Sequence, residues 1–266
     1  MTHPDFISPS RYLKRAVLGA ILLSGVPTAL AQNSSISHEA WGDLLQTYVH
    51  QSDDGVNRVD YGALKDNAAD SAKLDNYIDQ FADLSFDDMT RDEQFAAWAN
   101  LYNAVTVQYI IGEYPLDSIK PWYSTGPWKK IKVEADGREL SLDAIEHDVL
   151  RVKWADDPRL HYSINCASYG CPNLRRDAWV AETLNEDLDG AARDYVNHPR
   201  GVTVRERGGL EVSSIYDWFQ KDFGGSEASV IDHLLKYADE DLAADIRANN
   251  DIRGYEYDWS LNGTGK

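Results

Sequence analysis

Cysteine is scarce in this chain of 266 residues, which contains only Cys166 and Cys171. A bridge between them would close a very small loop, so the chain is not a mini-protein held together by disulfides. Basic residues are also few, because 26 Lys and Arg stand against 44 Asp and Glu, for a net charge of −18. Such a surface repels polyanions, and we expect neither nucleic acid nor an anionic membrane surface as a partner.

Long hydrophobic runs are missing after residue 31, so we expect no stable membrane span there. A run of about 15 mostly apolar residues at 16–30 follows three basic residues and ends in Ala29-Leu30-Ala31. These features predict a signal peptide over residues 1–31 and a periplasmic or secreted protein from residue 32. An uncleaved membrane anchor is the alternative, although the run is shorter than the roughly 20 residues that a span needs.

Residues 32–266 combine helix and strand patterns without a linker or a repeat, which predicts a single α+β domain. The clearest helix runs from about Arg91 to Gly112, and Thr90 with Glu93 forms a capping box at its start. Asp136-Gly137 and Gly208-Gly209 lie between short extended segments and predict β-hairpins. We expect a helix-rich fold with a small, mostly antiparallel sheet, of papain-like or transglutaminase-like type.

Two predicted elements lead to the cysteines. Ser141 is typical of a helix start, and the helix should end near Lys153. Leu160–Asn165 is interpreted as a strand that ends just before Cys166. At such a junction, the backbone N–H groups of Ala167 and Ser168 could lower the pKa of the thiol and bind an oxyanion.

Five stretches resemble the family of domains of unknown function numbered 547. They are Phe95–Ala104, Leu140–His147, Asp157–Pro172, Ser213–Phe219 with Asp222-Phe223, and Tyr257–Asn262. The resemblance covers about residues 90–262, and it implies export but no settled activity. It also implies that Cys166 is the chemically important thiol, because relatives from plants keep the first cysteine and often replace the second.

A nucleophilic cysteine needs a base nearby, and two histidines are candidates. His161 precedes Cys166 by five residues. In an extended strand this separation is on the order of 15 Å, at about 3.3 Å per residue, so direct contact requires a sharp bend. His147, from the preceding helix, is the other candidate. Glu146 or Asn103 could orient the histidine.

These residues predict a thiol-dependent hydrolase or transferase that acts on an amide or thioester in the cell envelope, with Cys166 as its nucleophile. An envelope peptide or small molecule would be its partner, and we expect no cofactor.

Other interpretations of the cysteines stay open. They could form a local disulfide in a non-catalytic binding or scaffolding module, remain buried inert thiols, or cycle between oxidised and reduced forms. A metal-binding protein is a further alternative, with ligands from His161, Cys166, Cys171 and His147, although their spacing is not that of a zinc ribbon.

Overall fold

A computed structural model describes residues 36–121 and 123–265. The predicted signal peptide, residues 1–31, lies outside this part. Among the described residues, no helix is both long and apolar enough to cross a membrane.

Helices account for most of the regular structure in the described part. They are α1 (Glu39–Tyr48), α2 (Tyr61–Asp66), α3 (Ala68–Asp79), α4 (Arg91–Glu113), α5 (Leu142–Ala144), α6 (Arg151–Lys153), α7 (Leu184–Val196), α8 (Ile215–Trp218), α9 (Glu227–Tyr237) and α10 (Glu240–Ala248). The strands are short, and they are β1 (Val49–Gln51), β2 (Asn57–Val59), β3 (Lys132–Ala135), β4 (Arg138–Ser141), β5 (Val202–Val204), β6 (Leu210–Ser213) and β7 (Ile252–Glu256).

The strands form small separate sheets. β1 pairs with β2 and β3 with β4, both in antiparallel fashion, while β6 is antiparallel to β5 and parallel to β7. Both predicted hairpins are confirmed, and Asp136-Gly137 has the positive φ angles, 55° and 68°, that a tight turn between two strands requires. The second hairpin has a longer connection, residues 205–209. The predicted α+β class, helix-rich with mostly antiparallel pairing, is confirmed.

The long helix α4 is confirmed from Arg91 to Glu113. Its capping box is also confirmed, because Thr90 Oγ1 accepts from the N–H of Glu93 while the Glu93 carboxylate accepts from the N–H of Thr90. Nearly every residue from Phe95 to Ile111 is buried, and several are alanines that let neighbouring elements approach closely. This packing carries Asn103 into the interior, beneath the cysteine segment.

The strand predicted at Leu160–Asn165 is wrong. Pro158–Tyr162 forms a 3₁₀ helix instead, and the side chain of Asp157 caps it by accepting from the N–H of Arg159. An acidic cap followed by proline is a typical helix start, and it outweighs the strand-like composition that follows. A 3₁₀ helix rises only about 2 Å per residue, so His161 lies closer to Cys166 along the chain than a strand would place it.

The helix predicted from Ser141 to Lys153 is present but irregular. Ser141 caps it by accepting from the N–H of Ala144. Between α5 and α6, residues Ile145–Leu150 adopt a π-helix. Such wide turns are rare in proteins, and those that do occur are often part of a functional site. This segment carries Glu146 and His147.

Buried apolar residues of the described part form two clusters, and the cysteine segment contacts both. Ile164 and Ala167 belong to the larger cluster, which packs around α1 to α4 and the β3–β4 hairpin. Tyr162 belongs to the smaller one, which packs α7 and α9 against β5 and β6. The segment is therefore anchored to both clusters.

Candidate functional site

A cleft of about 190 Å³ opens beside the cysteine segment. Its sulfur-containing and titratable lining side chains, tyrosine aside, are Asp143, Glu146, His147, His161, Cys166 and Cys171. Aromatic rings form most of the remaining wall, and they are Tyr102, Trp128, Trp218, Phe219, Tyr257 and Trp259. Trp218 is 46% exposed although it stacks on Trp259, so one large aromatic surface faces solvent at this cleft.

Cys166 and Cys171 form a disulfide at the wall of the cleft. Cys171 is 4% exposed, whereas Cys166 is only partly buried. Of the interpretations that the sequence leaves open, the local disulfide is the one present in the structure. In this form Cys166 is not a free thiol, and any nucleophilic role requires reduction.

Two asparagines hold the backbone around Cys166. Asn103 donates from Nδ2 to the carbonyl of Ser163 over 2.9 Å and accepts from the N–H of Asn165 over 2.8 Å. Asn165 in turn accepts from the N–H of Ala167 over 2.8 Å. Asn103 is not among the residues that line the cleft. The structure places it under the cysteine segment, where it contacts backbone rather than a histidine.

Ala167 has a φ angle of 62°, a conformation that few residues other than glycine adopt. Because its N–H donates to Asn165, that group does not point at the sulfur of Cys166, and the predicted use of this N–H for the thiol or an oxyanion is wrong. The backbone N–H that does reach sulfur is that of Cys166, which donates to Sγ of Cys171 over 2.9 Å.

Two hydroxyl groups contact both sulfur atoms. Tyr257 Oη lies 3.1 Å from Sγ of Cys166 and 3.0 Å from Sγ of Cys171, and Ser168 Oγ lies 3.0 Å and 3.6 Å from the same atoms. Disulfide sulfurs carry no proton, so the hydroxyls are the donors. Burial raises the pKa of Tyr257, which keeps its hydroxyl protonated.

His161 lines the cleft and pairs with Asp222. Its Nε2 donates to Oδ2 of Asp222 over 2.8 Å, and its ring stacks on Phe219 with centroids 4.1 Å apart. Arg151 donates to Oδ1 of the same carboxylate over 2.9 Å. Burial favours a higher pKa for Asp222, but the donors His161 and Arg151 outweigh it and hold that pKa below its usual range.

Burial lowers the pKa of His161, although the Asp222 carboxylate opposes this effect. The imidazole is therefore neutral near pH 7. Because Nε2 carries the proton that goes to Asp222, Nδ1 carries a lone pair. That atom can act as a base.

His147 lines the same cleft from the π-helix. Its Nδ1 accepts from Arg151 over 2.7 Å. Burial lowers the pKa of His147, and the positive charge of Arg151 lowers it further. Since Arg151 already occupies the lone pair on Nδ1, His147 is less suited than His161 to take a proton from a thiol.

Glu146 is a carboxyl group of the cleft whose pKa is raised. Burial raises its pKa to about 7, against the opposing effects of the Arg151 charge and the Tyr102 hydroxyl, which donates to Oε2 over 3.3 Å. Near neutral pH both protonation states are populated. Glu146 can therefore give or accept a proton there.

The cleft thus brings together four of the five residues that the sequence predicts as catalytic, namely Cys166, His161, His147 and Glu146. Within the described part of the chain, neither imidazole is hydrogen-bonded to Sγ of Cys166. The residues therefore share one surface, but the contact between base and sulfur is not made in the oxidised form.

Asp222, Arg151 and Tyr257 were not predicted from the sequence as site residues. Asp222 and Tyr257 both lie in stretches that carry the family resemblance, which was the available signal for them. Arg151 follows His147 by four residues, a spacing that brings helical side chains together. Only the fold could show that it also reaches Asp222.

The described residues do not include a group of three or more His, Cys, Asp or Glu side chains arranged to hold a metal ion. Of the ligands suggested for such a site, the two cysteines are bonded to each other and His161 is paired with Asp222.

Comparison with known proteins identifies one family. The model described as "Protein of unknown function, DUF547" matches residues 86–196, which include α4, the π-helix and both cysteines. The stretches around Asp222 and Tyr257 lie beyond the matched residues. No curated protein and no solved structure matches the chain. The resemblance to the DUF547 family is therefore confirmed over residues 86–196.

Proposed function

We propose that this protein is a thiol-dependent hydrolase or transferase that acts on an amide or thioester, with the reduced Cys166 as its nucleophile. The observation that supports this function is that Cys166 and His161 line one cleft, with His161 hydrogen-bonded to Asp222. These residues come from a loop, a 3₁₀ helix and the segment after α8. A nucleophile, a base and a group that orients the base are what acyl transfer to sulfur requires.

The reaction begins once an external dithiol has reduced the disulfide to two thiols and has itself been oxidised to a disulfide. Nδ1 of His161 takes the proton of the Cys166 thiol, and the imidazolium that forms is stabilised by the Asp222 carboxylate at Nε2. The thiolate attacks the carbonyl carbon of the substrate, and the leaving amine or thiol departs with a proton. Water or an acceptor nucleophile then releases the acyl group from Sγ. The imidazole must come within about 4 Å of the sulfur for the first step.

Glu146 supplies the second titratable group. With its pKa raised by burial to about 7, it is partly protonated at neutral pH. A protonated carboxyl in an aromatic cleft can donate to the leaving group and can later take a proton from attacking water. In this scheme Glu146 is an acid and base, while Asn103 is a positioning residue that holds the backbone beneath Cys166.

Cys171→Ser provides the most direct test, because it leaves Cys166 as a free thiol without added reductant. This variant is incubated with a small acyl thioester and analysed by intact mass. We expect an acyl adduct on Cys166 that decays with time, and no adduct on the double variant Cys166→Ser/Cys171→Ser. Absence of the adduct from Cys171→Ser, or equal adducts on both proteins, would refute the proposal.

A second candidate is a non-catalytic binding module in which the disulfide only shapes the cleft. The disulfide itself and the exposed face of Trp218 favour it. Alkylation of the folded protein, with and without a mild reductant, followed by intact mass, separates the two. A bond that resists reduction until the protein unfolds supports the module, and ready reduction with labelling of Cys166 supports the enzyme.

We further propose that residues 1–31 direct export and that the protein works in the periplasm or outside the cell, on an envelope substrate. The charged N-terminus, the apolar run and Ala29-Leu30-Ala31 support this placement. Expression of the full chain in a bacterial host and N-terminal sequencing of the fractionated protein test it. We expect the mature chain to begin at Gln32 in the periplasm or medium; an intact N-terminus in the cytoplasm would contradict it.

A further inference from the structure

The two sulfur atoms of the disulfide have unequal surroundings. Sγ of Cys171 accepts from the N–H of Cys166 over 2.9 Å and from the hydroxyl of Tyr257 over 3.0 Å, with Ser168 Oγ at 3.6 Å. Within the part of the chain that the structure describes, the hydrogen-bond donors to Sγ of Cys166 are these two hydroxyls. Tyr257 and Ser168 each have one hydroxyl proton, so each can donate fully to only one of the two sulfurs. The backbone N–H of Cys166 is an additional donor, and it donates to Sγ of Cys171.

Access to the two sulfurs is unequal in the opposite sense. Cys171 is 4% exposed, while Cys166 is only partly buried and borders the cleft. In thiol–disulfide exchange, the accessible sulfur is attacked and the sulfur with the more stabilised thiolate leaves. Cys166 meets the first condition, and Cys171, with its hydrogen-bond donors, meets the second.

We propose that the Cys166–Cys171 pair catalyses thiol–disulfide exchange with a dithiol peptide or protein segment that enters the aromatic cleft, Cys166 being the sulfur attacked and Cys171 the leaving thiolate. This activity goes beyond acyl transfer, because it uses the oxidised form and needs both cysteines.

The exchange balances in two steps. A substrate thiolate attacks Sγ of Cys166, the S–S bond to Cys171 breaks, and the Cys171 thiolate leaves and takes up a proton. The second substrate thiolate then attacks the substrate sulfur of the mixed disulfide, and the Cys166 thiolate leaves. Two substrate thiols are oxidised to one disulfide, and one protein disulfide is reduced to two thiols. In the reverse direction, reduced Cys166 attacks a substrate disulfide.

The cleft fits a peptide better than a small anionic thiol. Its walls are largely aromatic, and its described lining contains Asp143 and Glu146 but no lysine or arginine. A small thiol with net negative charge is disfavoured by this lining. A peptide can place a cysteine at the sulfurs while its neighbouring side chains pack on Trp218 and Trp259.

Trapping of the mixed disulfide tests the order of attack. Reduced Cys171→Ser and reduced Cys166→Ser are each mixed with a short neutral peptide whose single cysteine is disulfide-linked to a small aromatic thiol, which departs when the peptide sulfur is attacked, and the products are analysed by intact mass. We expect a stable mixed disulfide on Cys166 of Cys171→Ser and at least about tenfold slower trapping on Cys171 of Cys166→Ser. Equal trapping by the two variants, or trapping by neither, would overturn the proposal.

The hydroxyl of Tyr257 has its own test. Tyr257→Phe removes a donor to the leaving thiolate, so reduction of the disulfide by a dithiol peptide should slow by about tenfold, as expected for loss of one hydrogen bond to a charged group. Tyr255→Phe, two residues earlier with its hydroxyl bonded to Glu227, is the matched control and should not change the rate. Equal rates for both variants would contradict the role of Tyr257.

Failure of this inference is distinguishable from failure of the acyl-transfer function. Acylation is measured on Cys171→Ser with a thioester, where exchange turnover cannot occur. Turnover of a dithiol peptide is measured on the chain with both cysteines, where no acyl donor is present.

Discussion

His161 and Asp222 lie 61 residues apart in the chain and are joined by a hydrogen bond of 2.8 Å between Nε2 and Oδ2. The carboxylate also accepts from Arg151, so one acidic side chain satisfies donors from two different elements. The pair fixes the tautomer of the imidazole and leaves Nδ1 as the basic nitrogen. The hydrogen bond to Asp222 therefore makes His161 the candidate base for Cys166.

Asp222→Asn should lower the free energy of unfolding by about 2–3 kcal/mol at pH 7, because it weakens charge-assisted hydrogen bonds from His161 and Arg151. The pKa of Asp222 is depressed in the folded protein. Its stabilisation is therefore present above the unfolded pKa of about 4 and is lost as pH falls towards the folded value. The free energy of unfolding of wild type and of Asp222→Asn is measured with urea between about pH 7 and pH 3. The difference between the two proteins should become smaller below about pH 4.

Asp217→Asn, at an exposed position shortly before Asp222, is the matched control and should change stability by less than about 0.5 kcal/mol. A wild-type advantage over Asp222→Asn that did not vary with pH would show that the ionised carboxylate is not its source.

Glu146→Gln should stabilise the protein increasingly as pH rises. The carboxyl of Glu146 titrates at about 7 when folded, against about 4.3 when unfolded, so its ionisation is penalised in the folded state. The penalty on the folded state grows between these two pH values and is constant above them, at about 4 kcal/mol for 1.36 kcal/mol per pKa unit. Unfolding at pH 4, 6 and 8 measures it. Asp148→Asn, an exposed neighbour, is the control, and a gain equal at all three pH values would be inconsistent with a raised pKa.

Reduction of the disulfide should cost only modest stability. For a loop of this size the chain-entropy estimate is about 2 kcal/mol. Thermal unfolding with and without reductant measures the loss, and Cys171→Ser, insensitive to reductant, is the control. Loss of cooperative unfolding on reduction would instead assign the bond a structural role throughout the fold.

Asn103→Ala and Asn100→Ala form a matched pair. Each asparagine is buried in α4 and makes two hydrogen bonds to backbone, Asn103 to Ser163 and Asn165, and Asn100 to both backbone groups of Trp179. Both variants should lose about 2–3 kcal/mol, at about 1 kcal/mol or more for each bond lost. Only Asn103→Ala should also slow acylation of Cys166, by about tenfold, because it releases the backbone beneath the sulfur. Equal acylation rates in the two variants would assign Asn103 a purely structural role.

The sequence predicted the elements whose signals are local. The capping box of Thr90 and Glu93 located the start of α4, and Asp136-Gly137 located a hairpin, because each depends on hydrogen bonds and φ angles within a few residues. The prediction of a strand at Leu160–Asn165 was wrong because it overlooked a local signal of this kind, the helix cap formed by Asp157 with Pro158.

The site was predictable only in part. Cys166, His161, His147 and Glu146 lie within about 20 residues of one another in the sequence, and their chemical types indicated them. Asp222 and Tyr257 belong to later parts of the chain, and tertiary packing brings them to the site. The spacing of residues along the sequence does not indicate such packing. The π-helix that carries Glu146 and His147 was likewise missed, because helix periodicity does not distinguish it from an α-helix in a segment this short.

If His161 activates the thiol of Cys166, the pH dependence of alkylation at Cys166 depends on His161. The rate of iodoacetamide labelling is measured in Cys171→Ser and in Cys171→Ser/His161→Gln, with circular dichroism to confirm that both are folded. We predict an inflection well below the unperturbed thiol pKa of about 8.5 in the first protein and a return towards that value in the second. The same inflection near about 8.5 in both proteins would show that His161 does not activate Cys166.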